Sequence, residues 1–250
     1  AWVQCTDASI ARGVPGSGLP PDALLRVGLA HAQARGAMRQ PFDSRRLEPE
    51  LYALGLETLT VAGAAPDRAA YLCRPDLGRK LSEGSRQALQ HSLPEPADVV
   101  LVIADGLSSK AVHRQAVPLI AALLPYLRTL ELTLGPVVLA HQSRVALGDD
   151  IAQVMQARAV AILIGERPGL SSPDSLGIYM TWGPHTKRLE SERNCISNVR
   201  PEGLNYPQAA FKLAWLLEQS FQRKLSGVNL KDESDNPALH NKVVPMFKLE

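Results

Sequence analysis

The sequence has few cysteines and few aromatic residues, and it has no long apolar run. Cys5, Cys73 and Cys195 are widely spaced and form no C-x-x-C pair. This pattern fits a reducing cytoplasm and argues against a disulfide framework or a zinc site. The chain contains no stretch of 18 consecutive apolar residues, so the sequence predicts no membrane-spanning helix.

The sequence also lacks an excess of either sign of charge. Lysine and arginine together number 27, aspartate and glutamate number 25, and the formal net charge is +2. The arginines are spread along the chain and rarely interleave with aromatic residues, so no nucleic-acid partner is predicted. Hydrophobic residues make up 45% of the 250 positions. That is enough for one large domain, or for one domain with a helical extension.

Several motifs of familiar cofactor sites are absent. No G-x-G-x-x-G follows the first buried strand, and no P-loop is present. These absences argue against a dinucleotide site and against a nucleoside-triphosphate site of that type. The six histidines are scattered, without a His-x-x-x-His pair. We therefore predict no metal ligands in this chain.

Short apolar runs predict the strands of a sheet, and most of them read as buried on both faces. The runs lie at 58–62, 98–104, 136–141, 160–164 and 178–182. Segments with helical spacing of apolar residues separate most of these strands. This alternation predicts an α/β fold, with a Rossmann-like, mostly parallel, doubly wound sheet and an N-terminal helical extension.

The predicted helices lie at 22–38, 47–56, 108–130, 148–157 and 207–226. In the third of them, Pro118 and Pro125 are expected to kink or divide the helix, because proline removes a hydrogen bond from a helix interior. Asp149 and Asp150 are expected to open the fourth helix, where acidic side chains suit the helix dipole.

Composition and spacing divide the chain into three predicted parts. Residues 1–95 form an N-terminal arm and helical extension, and residues 96–230 form the α/β domain. Residues 231–250 form a C-terminal tail of polar and then weakly apolar character. Because ligands of open α/β sheets bind beside the carboxyl ends of strands, the middle part is expected to carry the site.

The segment 163–177, LIGERPGLSSPDSLG, contains the clearest site candidate. It leaves a buried strand at Glu166 and Arg167 and continues into residues rich in glycine, proline and serine, which predict an ordered turn. A carboxylate and a guanidinium at this edge are positioned to bind a ligand. The alternative is a structural ion pair between Glu166 and Arg167, and the local pattern does not decide between the two.

Several motifs together closely resemble the small (light) subunit family of ethanolamine ammonia-lyase. They are YLCRPDLGR at 71–79, ADGLS at 104–108, SRVALGD at 143–149, GERPGLSSPDSLG at 165–177 and ERNCISNVRPEGL at 192–204. Their order and spacing are those of the family, and the resemblance covers roughly residues 20–230. It implies adenosylcobalamin as the cofactor and a hetero-oligomer with the large subunit of the enzyme, which converts ethanolamine into acetaldehyde and ammonia. It further implies a cytoplasmic location within a bacterial microcompartment.

The resemblance also implies which residues contact the cofactor: Val145, Glu166 and Cys195, with Arg144 as a possible hydrogen-bond donor. An apolar Val145 would cover a corrin face, and Glu166 would accept hydrogen bonds from the amide rim. On the residues alone, Val145 is a core residue, Arg144 is an exposed salt-bridge residue and Cys195 is a packing residue. The resemblance places the substrate site in the large subunit, so no catalytic residue is expected here. The motif Asp-x-His-x-x-Gly, by which some proteins ligate the cobalt, is absent.

Two other functions are compatible with the residues. One is a stand-alone α/β enzyme that uses Cys195 as a nucleophile, although no particular histidine is placed to activate the thiol. The other is a non-catalytic scaffold that holds a large subunit without touching the cofactor. Thiol reactivity would distinguish the first function, and cobalamin binding by the assembled complex would distinguish the second.

Overall fold

A mixed six-stranded sheet forms the centre of the molecule. The structure is a computed structural model, and it describes residues 40–92, 95–169, 172 and 174–235 together with individual positions between 24 and 38. The strands are β1 (Thr58–Ala62), β2 (Val99–Ala104), β3 (Val137–His141), β4 (Ala159–Gly165), β5 (Leu176–Trp182) and β6 (Asn194–Val199). Their spatial order is β1-β3-β2-β4-β5-β6. The first four pair in parallel, whereas β5 runs antiparallel to β4 and β6 antiparallel to β5.

Helices cover both faces of this sheet. They are α1 (Glu48–Ala53), α2 (Arg68–Cys73), α3 (Glu83–His91), α4 (Ser109–Thr129), α5 (Val145–Val154) and α6 (Tyr206–Arg223). Short 3-10 turns lie at Ser44–Arg46, Leu77–Arg79, Glu190–Glu192 and Gly227–Asn229. Among the described residues, no helix is both long enough and apolar enough to cross a membrane.

The two faces of β2 belong to two separate apolar clusters. Leu101 and Ile103 pack in the cluster that includes α4 and α6. Val100 and Val102 pack in the cluster that includes α5. A strand covered on both faces has no polar side to show, which explains the unbroken apolar run in its sequence.

The α/β class is confirmed. Each predicted strand is present, within a few residues at its ends. The Rossmann-like, doubly wound arrangement stays a prediction, because β5 runs against the other strands and makes the sheet mixed. The division of the chain into three parts also stays a prediction. Most of the expected helix at 22–38 and most of the tail at 231–250 lie outside the described residues.

The strand β6 was not predicted. Its sequence, NCISNV, alternates irregularly, and Cys195, Ser197 and Asn198 are exposed. It lies at the edge of the sheet, where only one neighbouring strand is present. An edge strand with polar side chains lacks the continuous apolar signal that identifies central strands.

The expectation that prolines divide α4 is wrong, since the helix runs unbroken from Ser109 to Thr129. Pro118 and Pro125 are both exposed, so the carbonyl groups that lose their partners can face water. Buried residues beside them hold the helix against the sheet. Ser108 caps the helix by accepting a hydrogen bond from the N–H of Ala111 at 3.3 Å.

The expectation that Asp149 and Asp150 open a helix is also wrong, because α5 begins earlier, at Val145. Both carboxylates lie in the middle of the helix and are buried, and each binds an arginine. The Arg193 side chain donates to Asp149 at 2.6 and 2.9 Å, and Arg86 donates to Asp150 at 2.6 Å. Removing one partner of such a buried pair leaves an uncompensated charge, at a cost of about 3–5 kcal/mol.

Glycines allow the carboxyl ends of β2 and β4 to meet closely. The N–H of Leu107 donates to the carbonyl of Gly165 at 2.9 Å. Gly106 has a φ of +53°, and a Cβ placed there would lie 2.3 Å from the Gly165 oxygen. A Cβ on Gly165 would lie 2.1 Å from the Ser108 oxygen. Larger residues cannot occupy either position without moving the backbone that leads into the site.

A comparison of Gly106→Ala with Gly55→Ala tests this contact. Gly55 also has a positive φ, +77°, but a Cβ there meets nothing within 4 Å. We expect Gly55→Ala to lower the free energy of unfolding by roughly 1–2 kcal/mol, the cost of a left-handed backbone. Gly106→Ala should lose roughly 1–3 kcal/mol more because of the steric clash. Urea unfolding followed by circular dichroism measures both, and equal losses would contradict the proposed clash.

Candidate functional site

A cavity of about 460 Å³ opens beside the carboxyl ends of β2 and β4 and the start of α5. Arg144, Val145 and Glu166, all predicted from the sequence, line this cavity together. Leu107 and Ile164 add apolar surface to the wall. The structure thus brings together side chains that come from two separate loops of the chain.

Glu166 follows β4 directly and is held by the two antiparallel strands. Its N–H donates to the carbonyl of Ser175 at 3.1 Å. The two oxygens of its carboxylate lie 3.4 and 3.3 Å from the Asn198 nitrogen, whose N–H donates to them. Asn198 belongs to β6, which lies two strands away from β4 in the sheet. No ion pair joins Glu166 to Arg167, although the structure describes both residues. The ion-pair alternative is therefore wrong, and one face of the carboxylate is left toward the cavity.

Arg144 lies against the buried ring of Tyr71. The guanidinium carbon is 4.4 Å from the ring centroid, and Nη2 is 3.4 Å from the Tyr71 carbonyl oxygen. The backbone N–H of Arg144 donates to the Gly78 carbonyl at 2.8 Å. The next residue, Val145, begins α5 and is half-buried. Arg144 forms no salt bridge with a described residue, so that alternative does not match this geometry, whereas Val145 both lines the cavity and packs against the apolar cluster that includes α5.

A buried carboxylate, that of Asp105, joins the ends of β2 and β3 behind the cavity. It accepts from the backbone N–H groups of Ser143 at 2.9 Å and Gln142 at 3.0 Å. It also forms an ion pair with Arg68 at 3.0 Å. On the other side, the Tyr71 hydroxyl donates to the Ser143 carbonyl at 3.0 Å. These contacts fix the loop that carries Arg144.

Sequence reasoning missed the supporting residues Asp105, Arg68 and Tyr71. The available signal was the position of Asp105, an acidic residue immediately after a fully buried strand. Gly106 permits the turn that follows and Ser108 caps the next helix, but the sequence alone does not show that the carboxylate binds a loop nearly forty residues later.

Cys195 lies on β6 directly opposite Tyr179 on β5. Tyr179 lines the cavity, so the cysteine is connected to the site through this tyrosine. Although Cys195 is exposed in part, desolvation by its neighbours raises the pKa of its thiol, a hydrogen bond with Tyr179 lowers it, and the charge of Glu166 raises it further. A thiol with a raised pKa is mostly protonated near neutral pH. It is suited to packing or weak hydrogen bonding rather than to nucleophilic attack.

The charged residues of the segment 71–79, Arg74, Asp76 and Arg79, form ion pairs at the surface. Arg74 binds Asp76 at 2.8 and 2.9 Å, and both side chains are exposed. Arg79 lies 3.6 Å from Glu190. Among the residues that the structure describes, no group of three or more histidine, cysteine or acidic side chains could hold a metal ion.

Comparison with known proteins identifies similar chains along nearly the whole sequence. Residues 1–231 match the family described as ethanolamine ammonia-lyase light chain (EutC). The ethanolamine ammonia-lyase small subunit of Pseudomonas fluorescens (strain Pf0-1) is 49% identical over 246 residues, which cover 96% of this chain and 90% of that protein. The subunit of the same name from Xanthomonas campestris pv. campestris is 47% identical over 249 residues, with the same coverage. That of Ralstonia nicotianae is 49% identical over 239 residues, covering 94% and 88%.

The pH dependence of thiol alkylation tests the environment of Cys195. Only the thiolate reacts, so a raised pKa should move the pH midpoint of Cys195 alkylation to a higher pH than in the urea-unfolded chain. The thiols of the unfolded chain titrate at about pH 8.5. Glu166→Gln removes a negative charge and should move the profile back toward lower pH. Peptide mass spectrometry after iodoacetamide treatment gives the rates, with Cys73, which is also exposed, as an internal control. A Cys195 profile at or below the unfolded reference would contradict this description.

Proposed function

The chain belongs to the ethanolamine ammonia-lyase light-chain family, and we propose that it anchors adenosylcobalamin against a large catalytic subunit. The complete enzyme would convert ethanolamine into acetaldehyde and ammonia. The observation that supports this role most directly is the meeting of Arg144, Val145 and Glu166 at one cavity. A location in the cytoplasm, inside a bacterial microcompartment, is proposed from family membership alone.

The lining of the cavity is chemically suited to one side of a cobalamin. A corrin has broad apolar faces, which Leu107, Val145 and Ile164 could cover. Its rim carries amide groups that both donate and accept hydrogen bonds. Glu166 can accept from such amides and Arg144 can donate to them. Because a cavity of about 460 Å³ is smaller than a cobalamin, the remainder of the cofactor would be covered by another chain.

The residues of this chain are assigned to binding and orientation. Glu166 is fixed by Asn198 and would set the position of the corrin rim. Val145 and Ile164 would exclude water from the face that they cover. Once bound, adenosylcobalamin supplies radical chemistry through homolysis of its cobalt–carbon bond. Among the described residues that line the cavity, Glu166 is the one carboxylate and no histidine occurs, so we place the substrate and its acid–base groups in the large subunit.

The rival functions receive less support from this geometry. A nucleophilic Cys195 would need a base and a lowered pKa, whereas burial raises the pKa of this thiol. A scaffold without cofactor contact would have no need for a polar cavity with a fixed carboxylate. Absorption spectra of the assembled complex, recorded with and without added cobalamin, separate the scaffold role from the anchoring role.

The purified chain alone is expected to release no ammonia from ethanolamine, even with adenosylcobalamin present. Co-expression with a large subunit of the same enzyme should give activity that depends on adenosylcobalamin. Ammonia release at saturating ethanolamine measures both. Robust turnover by the chain alone would exclude the two-subunit assignment, and an inactive complex that binds no cobalamin would exclude the anchoring role.

Substitution of the cavity carboxylate tests the cofactor contact. Glu166→Gln preserves the shape of the side chain but removes its charge, so it should weaken adenosylcobalamin binding to the complex roughly ten- to hundred-fold. Glu83→Gln, at an exposed position on α3, is the matched control and should leave the Kd unchanged. Titration of cofactor into both complexes gives the constants. An unchanged cofactor Kd together with a large rise in the KM for ethanolamine would contradict the assignment.

A further inference from the structure

The side chain of Arg144 carries a charge that no carboxylate of the described residues neutralises. Its recorded polar contacts are the Tyr71 carbonyl at 3.4 Å and the Tyr71 ring. Its Nε is enclosed without a hydrogen-bond partner among the described residues. A guanidinium that is partly withdrawn from water is stabilised when an anion binds it, and without one the desolvation remains uncompensated.

Other arginines around the same sheet show the usual solution. Each of them binds a buried aspartate: Arg68 binds Asp105, Arg86 binds Asp150, and Arg193 binds Asp149. Arg144 lacks such a partner although it is only half-exposed. The difference is that Arg144 lines the cavity, where a ligand could supply the negative charge.

The guanidinium is also held in place before any ligand arrives. The Tyr71 ring that it lies on is itself buried and is fixed by the bond from its hydroxyl to Ser143 at 3.0 Å. On the other side, a Cβ at Gly78 would come within 2.8 Å of Arg144 Cγ, so the stem of the side chain lies in a narrow slot. A side chain that is ordered in advance loses less conformational entropy on binding.

We propose that Arg144 forms an anion subsite within the cavity and binds the phosphodiester of the cofactor's nucleotide loop. This inference rests on the proposed function. The amide side chains of a cobalamin are neutral, and the phosphodiester of its nucleotide loop carries a negative charge. Guanidinium N–H groups match pairs of phosphate oxygens, which gives charge-assisted hydrogen bonds with a defined direction. The neutral amides of the rim would leave the charge of Arg144 unpaired.

The test compares two ligands that differ in the nucleotide loop. Adenosylcobalamin contains the phosphodiester, and adenosylcobinamide lacks it but keeps the corrin and its amides. Both are titrated into the complex with the large subunit. Arg144→Gln should weaken adenosylcobalamin binding roughly ten- to hundred-fold and leave adenosylcobinamide binding unchanged. Arg144→Lys keeps the charge but not the paired donors, so it should show a smaller loss that is again confined to adenosylcobalamin.

The matched control is Arg167→Gln, which removes the other arginine of the cavity wall, an exposed one. The dissociation constant of this variant complex for adenosylcobalamin should change less than that of the Arg144→Gln complex. Equal weakening of both ligands by Arg144→Gln and Arg144→Lys would overturn the inference, and so would unchanged adenosylcobalamin binding. A wild-type complex that binds adenosylcobinamide and adenosylcobalamin equally well would overturn it too. If the wild-type complex binds neither ligand, the proposed function itself fails, and that result is distinct from the others.

Discussion

The carboxylate of Asp105 is the contact on which the geometry of the site depends. It ends β2, the most deeply buried strand, and binds two backbone N–H groups of the loop that leaves β3. Its pairing with Arg68 connects that loop to α2, which carries Tyr71. Loss of this carboxylate would leave the loop amides and a guanidinium without their acceptor at once, and the support beneath Arg144 would be lost with them.

The mixed character of the sheet has a functional consequence. Because parallel strands end at the same edge, β3 and β4 deliver Arg144 and Glu166 to one cavity. The chain then runs back in β5 and returns to that edge in β6, where the N–H of Asn198 can donate to the Glu166 carboxylate. Along the same pair of strands, Tyr179 lies opposite Cys195. Two reversals of direction separate β6 from β4, so β6 ends at the same edge as β4 and brings the Asn198 N–H beside the carboxylate.

Only part of this arrangement could be predicted from the sequence. Continuous apolar runs identify β2 and β4 because strands covered on both faces need no polar residues. The contact of Arg144 with the Tyr71 ring joins residues that are 73 positions apart. The sequence around either residue does not predict its contact with the other. The buried pair of Asp149 with Arg193 is equally non-local. Carboxylates that look typical of a helix start therefore lie in its middle, where only the tertiary partner explains them.

The chemistry of the cavity agrees with a division of labour between two chains. The described residues of its wall combine one oriented carboxylate, one ordered guanidinium and apolar side chains, and no histidine is among them. Such a set can recognise a large ligand with both apolar faces and polar edges. Its titratable acids among the described residues are Glu166 and the phenols of Tyr71 and Tyr179, and the raised pKa of each phenol keeps it protonated near neutral pH. The nearby thiol does not change this conclusion, because burial raises the pKa of Cys195 and keeps it protonated near neutral pH. In the proposed function, this chain would hold the cofactor in one orientation, and proton transfer would fall to the large subunit.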